Sequence, residues 1–364
     1  MPKDPICQME VSEETAISVQ CDGERFYFCS EGCRRKFLED RTCKRPTGPF
    51  DLIIIGGGPA GLTAATFAAT LKMKAFLIAK DLGGQAVDST KIENYMGFDF
   101  ITGPELVSRF QNQLLHSHFV NHLMDEVIQI IPDKDVFHVV TRGGDTFLTK
   151  TVLVTTGMTR KKLGIPGEEE FQRRGIFYGN IPDFSFAEGK EVAVIGGGNS
   201  ALQVVENLQT LAHRIHLVSD SRLRADPTII ERVRALPSLI VYEGYRTLKF
   251  GGDKSLTTLE IEEMSGGKRL GLSVREVFVA IGLKPNSALV ADLVALNEKE
   301  EIAIGPDCTT SRPGIFAAGD VTDAFGKRII IASGEGAKAA LATKAYLLKR
   351  ASCKARKHLG KEGP

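Results

Sequence analysis

The stretch DLIIIGGGPAGLTAA, Asp51–Ala65, decides the fold. Leu52–Ile55 reads as a buried strand. Gly56, Gly58 and Gly61 follow in the spacing G-x-G-x-x-G, and Pro59, Ala60 and the small residues after them read as a helix. Strand, glycine turn and helix in that order form a dinucleotide site. Gly56 permits the tight turn, Gly58 lets the backbone approach a pyrophosphate, and Gly61 lets the helix pack close to the strand. The helix N-terminus then offers free N–H groups and a partial positive charge to phosphates. The same device recurs at Glu191–Ala201, EVAVIGGGNSA, with Gly196, Gly198 and Ala201 at the three positions and Asn199 and Ser200 opening the helix. Alanine is accepted at the third position. This spacing describes a pair of like units, since solenoid repeats have far shorter periods.

The bulk properties read as those of a soluble, intracellular protein. The chain has 364 residues, 43% of them apolar, and a formal charge of only +1. Such a balance gives no field for nucleic acid or a membrane surface. No apolar run approaches the roughly 20 residues of a membrane span. No secretory h-region opens the chain, so a cytoplasmic location is expected. Five of the seven cysteines fall in the first 43 residues.

That N-terminal stretch, residues 1–42, reads as a small α+β module. Ala16–Gln20 and Arg25–Phe28 are strands around an Asp22-Gly23 turn, and Ser30–Leu38 is helical. Cys29 and Cys33 stand one helical turn apart, and a hairpin can bring Cys7 beside them. Soft thiolates select zinc, copper(I) or similar metals. Cys21 is a candidate fourth ligand. Buried unmetallated cysteines, or a redox pair of Cys29 with Cys33, are the competing readings. DPICQM at 4–9 and FYFCSEGCRRKF at 26–37 resemble the YHS/TRASH module, which implies a treble-clef-like metal-binding domain. Residues 43–48 read as a linker.

In the main body, Ala75–Ala79 is the second strand of the first βαβ unit. It ends in Ala79-Lys80-Asp81, where an acidic ribose contact is usual. Gly83-Gly84-Gln85 and Ile92–Tyr95 follow, then an amphipathic helix over Gly103–Leu115. Val127–Ile131, Val136–Thr141 and Thr146–Thr149 read as an antiparallel meander, and Lys150–Gly157 as a buried strand ending in Thr155-Thr156-Gly157. After the second glycine turn, Arg214–Val218 closes its βαβ unit at Ser219-Asp220-Ser221. Residues 238–283 again read as strands, ending at Gly282. A short apolar strand leads to Ala318-Gly319-Asp320. Arg328–Ser333 and a helix over Gly336–Lys349 close the fold, and 349–364 is a basic tail.

The order of these motifs resembles the low-molecular-weight thioredoxin reductase family over residues 49–348, a class of pyridine nucleotide-disulfide oxidoreductase. IENYMG, IGGGNSA and ASGEGAKAAL are similar to its alkyl hydroperoxide reductase flavoprotein branch. The resemblance implies two Rossmann-like, three-layer ββα domains: an NAD(P)H domain (161–284) inserted in a discontinuous FAD domain (49–160 and 285–348). It also implies a homodimer. FAD is then expected at Gly56, Gly58, Pro59, Ala60, Gly61, Gly83, Gly84, Gln85, Asn94, Thr156, Gly157, Gly319, Asp320, Arg328, Ile329 and Ile330. NAD(P)H is expected at Gly196, Gly198, Asn199, Ser200, Ala201, Asp220, Arg222, Arg224 and Gly282. The family's Cys-x-x-Cys-Asp is missing. In GIFYGNIPD, Gly179 and Pro182 stand at the two cysteine positions, and only Asp183 survives as a catalytic candidate or a turn cap. Neither Gly179 nor Pro182 can attack a disulfide, because a thiolate is the nucleophile.

Asp220 suits a free ribose 2′-OH and repels a 2′-phosphate, which favours NADH over NADPH. Arg222 and Arg224 weigh the other way. The expected function is therefore hydride transfer from NADH to FAD, then electron transfer to an acceptor the usual Cys pair does not serve. A disulfide protein, ferredoxin-like carrier, quinone or metal ion fits that description. The alternatives are a metal- or redox-responsive flavoprotein without turnover, and a thioredoxin-disulfide reductase that uses the N-terminal cysteines.

Overall fold

A computed structural model describes residues 2–7, 9–13, 15–21, 24–40, 49–89, 91–115, 120–179 and 183–359. The Asp22-Gly23 turn, the 43–48 linker, Pro182 and residues 360–364 lie outside the described residues, as do the side chains of Cys21 and Cys353.

The chain begins with the hairpin β1 (Ile17–Cys21) and β2 (Glu24–Phe28) and helix α1 (Glu31–Asp40). Phe28 and Phe37 form its core, with ring centroids 5.1 Å apart. Next come β3 (Leu52–Gly57), α2 (Pro59–Thr70), β4 (Ala75–Leu82), α3 (Gly103–Leu115) and β5 (Val120–Met124). The meander β6 (Val127–Asp133), β7 (Val136–Thr141) and β8 (Thr146–Thr149) precedes β9 (Val152–Val154) and β10 (Met158–Arg160). The second unit runs β11 (Ile176–Tyr178), β12 (Glu191–Ile195), α4 (Asn199–Leu208), β13 (Arg214–Ser219), α5 (Pro227–Arg234) and β14 (Leu239–Glu243). A second meander, β15 (Tyr245–Gly252), β16 (Leu256–Glu263) and β17 (Arg269–Ser273), leads to β18 (Glu276–Val279). The chain closes with β19 (Leu283–Pro285), β20 (Ile315–Ala317) and α6 (Ile329–Leu359).

Two five-stranded parallel sheets result, ordered β20-β9-β3-β4-β5 and β11-β18-β12-β13-β14. Each places its glycine-turn strand, β3 or β12, at the centre. The first sheet takes β20 from beyond the whole second sheet. In a parallel sheet both faces are covered, so its strands are continuously apolar. Leu52 and Ile54 pack under α2 and α6, whereas Ile53 and Ile55 pack under the β6–β8 meander. Val192 and Val194 likewise face α4, and Ala193 and Ile195 face the β15–β17 meander. This is the expected three-layer ββα arrangement, built twice.

Two local expectations change. The last helix starts at Ile329 rather than Gly336 and runs on to Leu359. Gly334 and Gly336 disguise it, yet Gly336 is what seats it: a Cβ there would lie 2.0 Å from the Ala60 carbonyl oxygen on α2. Tight helix contact outweighs poor propensity. The strand read over Lys150–Gly157 shrinks to Val152–Val154. On either side the threonine hydroxyls bond backbone carbonyls, Thr149 Oγ1 that of Thr151 close by in sequence at 2.8 Å and Thr155 Oγ1 that of Gly56 on the first glycine turn at 2.9 Å.

Candidate functional site

The first glycine turn is closed everywhere except in front of Gly58. Gly56 has φ +114°, and a Cβ on it would meet the Thr155 carbonyl oxygen at 2.4 Å. A Cβ on Gly61 would lie 1.9 Å from the Gly56 carbonyl oxygen, whereas one on Gly58 would meet no protein atom within 4 Å. Gly58 is the N-cap of α2, followed by Pro59 and the buried Ala60 and Gly61, so the open face is a helix N-terminus. Gly83-Gly84-Gln85 lies against it: a Cβ on Gly84 would come within 3.3 Å of the Gly58 Cα. Asp81 does not reach toward a ribose here. Its carboxylate accepts the Gly84 N–H at 3.0 Å and shapes that turn. The Gln85 amide donates to the Met158 carbonyl.

Gly319 approaches the same helix, since a Cβ on it would lie 3.0 Å from the Ala60 Cβ. Asp320 follows, half-buried, and burial pushes its carboxyl up against the opposing pull of Lys327 and Arg328. Among the described residues no hydrogen bond reaches this carboxylate. Asn94 and Ile330 line one cleft of about 550 Å³ with Tyr95, Met96 and Phe98. Ile329 begins α6, and Arg328 bonds the Lys327 carbonyl at 2.9 Å. Thr156 and Gly157 leave β9 beside the turn. These residues fit a flavin dinucleotide. An open helix N-terminus suits a pyrophosphate, and an unpartnered acceptor suits a ribityl or ribose hydroxyl.

The second turn repeats the geometry. A Cβ on Gly196 (φ +134°) would lie 2.4 Å from the Ala280 carbonyl oxygen, and one on Gly198 would meet nothing within 4 Å. Asn199 accepts the Asp226 N–H at 2.7 Å, Ser200 is exposed and Ala201 is buried. Asp220 follows the end of β13, exposed, and accepts the Ser221 hydroxyl at 3.1 Å. Arg222 and Arg224 are exposed beside it, and Gly282 (φ +94°) has open space around it. Two residues here had no sequence signal. Glu243 accepts the Leu223 N–H at 2.9 Å and so fixes the loop after β13. Among the described residues the buried Ser219 hydroxyl has no partner, and it faces Gly197, where a Cβ would lie 2.4 Å from it. This turn fits a nicotinamide dinucleotide on the same grounds.

No thiol faces these turns from residue 179. Gly179 has φ +72°, and its N–H donates to the Val279 carbonyl at 2.8 Å. Asp183 is exposed and caps the turn that follows, accepting the Ser185 N–H at 2.8 Å, a bond that lowers its pKa.

At the N-terminal end, Asp4, Cys7, Cys29 and Cys33 bring their ligand atoms within 4.8 Å of one another. Cys29 Sγ lies 3.3 Å from Cys7 Sγ and 3.7 Å from Cys33 Sγ. Cys21 pairs with Glu24 at the turn end of the hairpin, whereas Cys29 follows Phe28 at its other end. Asp4 takes the fourth place beside the thiols among the described residues. Its carboxylate is buried, and it accepts N–H groups from Ile6 at 2.8 Å, Cys7 at 3.3 Å and Cys29 at 2.8 Å. Burial opposes the charge, but the Cys29 and Ile6 bonds outweigh it and hold the carboxyl well below the usual range. The Asp4 carboxylate and the Cys7 thiol together push the Cys29 thiol up to about 12. A bound cation reverses that, because a coordinating thiol is deprotonated outright.

Among the described residues no helix is long and apolar enough to cross a membrane. Residues 50–345 match the pyridine nucleotide-disulphide oxidoreductase family model, and residues 2–42 match the YHS domain. NADH dehydrogenase of Bacillus subtilis is 32% identical over 343 residues, 91% of this chain and 66% of that protein. The F component of alkyl hydroperoxide reductase from Staphylococcus epidermidis is 36% identical over 307 residues, 83% of this chain and 60% of that protein. The chain thus spans under two thirds of the length of both. Thioredoxin reductase from Lactococcus lactis superposes with a TM-score of 0.66 at 31% identity, covering 82% of this chain and 99% of its own.

Proposed function

The chain belongs to the pyridine nucleotide-disulphide oxidoreductase family, and from that premise we propose that it carries hydride from NADH to FAD and hands the electrons to an acceptor without a thiol pair in its core. The observation that carries this reading is the twofold occurrence of one arrangement: a central parallel strand, a closed glycine turn, and a single glycine facing open space at a helix N-terminus. FAD, when bound, supplies the two-electron carrier chemistry that no side chain provides. Gly58 and the N-terminus of α2 hold its pyrophosphate, and Asp320 accepts a hydroxyl. Gly198 and the N-terminus of α4 hold the nicotinamide nucleotide on residues 161–284. Asp220 accepts the 2′-OH and repels a 2′-phosphate, so NADH is preferred over NADPH.

Gly179 leaves the internal disulfide relay without its nucleophile. The acceptor therefore comes from outside that position: a disulfide protein, a ferredoxin-like carrier, a quinone or a metal ion. Cys7, Cys29 and Cys33 hold a soft metal such as copper(I) or zinc, with Asp4 beside them. A second reading, in which those thiols replace the missing pair, is favoured by the 3.3 Å separation of Cys7 and Cys29. We place the protein in the cytoplasm as a homodimer. α6 leaves Leu341 and Leu348, seven residues apart on one face, 50% and 59% exposed.

Anaerobic rapid mixing tests the reading on the full chain. NADH is expected to bleach the flavin band faster than NADPH does, and failure of both nucleotides removes the hydride reading. Cys7→Ser/Cys29→Ser/Cys33→Ser then separates the two roles of the thiols. Unchanged acceptor turnover assigns them to metal binding, and lost turnover with intact bleaching assigns them to electron exit.

A further inference from the structure

Strand register sets the two glycine-turn units side by side. Ile55, the residue before Gly56, pairs with Ile78 on β4, and Ile195, the residue before Gly196, pairs with Val218 on β13. Two residues further along each second strand, Lys80 stands in the first unit where Asp220 stands in the second. A carboxylate at this place takes the ribose hydroxyl in such βαβ nucleotide sites. Lys80 has donors and no acceptor. Asp81, the carboxylate next to it, is taken by the Gly84 N–H. The end of β4 therefore offers no free ribose acceptor of its own.

A carboxylate from the neighbouring strand meets Lys80 there. Open α/β sheets bind ligands beyond the carboxyl ends of their strands, and the ends of β3, β4 and β5 are joined. A Cβ on Gly57 would meet the Ala79 Cβ at 2.9 Å, and the Asp125 N–H, just past β5, donates to the Ala79 carbonyl at 2.9 Å. Glu126 follows. Its Oε1 lies 2.7 Å from Lys80 Nζ, and its Oε2 accepts Arg142 Nε at 2.6 Å. Its backbone is fixed as well. The Asp125 carboxylate accepts the N–H groups of Glu126 at 2.7 Å and Gly143 at 3.1 Å, and the Glu126 carbonyl accepts the Arg142 N–H at 2.7 Å. Arg142 and Lys80 hold the Glu126 carboxyl below its ordinary value. An ionised carboxylate has about four acceptor sites, so Oε1 keeps room for a hydroxyl beside Lys80. The Glu126 side chain is 28% exposed, which leaves it within reach of a ligand.

We propose that Glu126 is the adenosine-ribose acceptor of the first glycine turn, guided to the end of β4 by Lys80. The inference rests on the flavin reading of that turn and extends it to a residue outside the glycine motifs. Lys80 and Glu126 together do what Asp220 does alone in the second unit. FAD carries the adenosine ribose and FMN does not, so Glu126 selects FAD over FMN. Exposed ion pairs contribute little to stability, so the arrangement acts on ligand affinity and not on the melting temperature.

The test titrates the full, flavin-free chain with FAD and with FMN, and lets ADP, which carries the ribose without the flavin, compete against FAD. Glu126→Gln is expected to weaken FAD and ADP about tenfold and FMN by less than about twofold, with the melting temperature of the flavin-free protein unchanged. Lys80→Met keeps the carboxylate and loses its guide, so it falls between wild type and Glu126→Gln. Lys80→Glu combined with Glu126→Gln moves the carboxylate onto β4 and is expected to regain most of the FAD affinity. Wild-type FAD affinity in Glu126→Gln, an equal loss for FAD and FMN, a larger loss in Lys80→Met than in Glu126→Gln, or no regain in the double variant each overturns the proposal. If wild type binds neither FAD nor FMN, the flavin reading of the turn itself fails; if wild type binds FAD and Glu126→Gln binds it equally, this inference alone falls.

Discussion

The carboxylate of Glu335 accepts the backbone N–H of Gly319 at 2.7 Å inside the core. The bond joins α6 to the residue before Asp320. Glu335→Leu leaves a buried N–H unpaired, a cost of about 1–3 kcal/mol. At about 2–4 °C per kcal/mol for a domain of 150–250 residues, calorimetry is expected to show a clear drop in melting temperature, together with lower flavin content. Glu335→Gln keeps an acceptor and drops less. An equal drop for both variants contradicts the assignment.

The same carboxyl group sets a pH dependence. Burial raises the Glu335 pKa above its ordinary 4.5, against the Gly319 bond, and burial also raises Asp320. A raised carboxyl contributes stability that is complete below the unfolded value and is lost as pH rises through the folded value. Wild type therefore loses stability relative to Glu335→Gln as pH climbs from about 4.5. Asp320→Asn behaves alike as apoprotein, gaining stability toward neutral pH while losing FAD. Melting curves of the apoproteins from acid to neutral pH check the sign.

Gly58 and Gly61 separate binding from folding. A methyl on Gly61 runs into the Gly56 carbonyl, whereas one on Gly58 meets no protein atom. Gly61→Ala is expected to destabilise the apoprotein by about 1–3 kcal/mol through overpacking. Gly58→Ala is expected to leave the apoprotein melting temperature unchanged and to weaken FAD about tenfold or more, about 1.4 kcal/mol. Flavin titration of both apoproteins reads the contrast, and full FAD affinity in Gly58→Ala removes the pyrophosphate from this turn.

These turns were legible in the sequence because their code is local: a strand, three glycines and a helix within fifteen residues. Glu126 and Glu335 were not legible. Glu126 meets Lys80 only once β4 and β5 have paired, and Glu335 sits among α6 glycines that read as a break rather than a contact. Asp4 was hidden for the same reason, since the bond that carries it to the thiols comes from the N–H of Cys29, 25 residues on. The helix-breaking look of Gly336 came from propensity alone, and its close approach to Ala60 exists only after α2 and α6 have packed.

Coenzyme choice turns on Asp220. It is exposed and accepts the adjacent Ser221 hydroxyl, which leaves its carboxylate with capacity to accept from a ribose as well. A hydrogen bond to a charged group is worth about 1.5–3 kcal/mol. Asp220→Ala is expected to raise half-saturation by NADH about tenfold and to narrow or reverse the preference over NADPH. Steady-state constants for both nucleotides check this, and an unchanged ratio shifts the choice to Arg222 and Arg224.

At the N-terminal cluster Asp4 acts through the backbone of the thiol residues. Residues that orient metal ligands typically change affinity about 10–100-fold. Cys7→Ser, Cys29→Ser and Cys33→Ser are each expected to abolish stoichiometric copper(I) binding in a chelator competition. Asp4→Ala keeps the thiols and weakens binding within that range. The pH dependence separates the roles. The carboxyl of Asp4 lies well below its ordinary 3.8, so its contribution is present above the unfolded value and is lost only as pH falls through the folded one. Acid loss of the metal is then the thiols taking up protons, and the weaker Asp4→Ala site loses its metal at a higher pH than wild type. Unchanged affinity and an unchanged midpoint in Asp4→Ala remove the carboxylate from the support of the thiols.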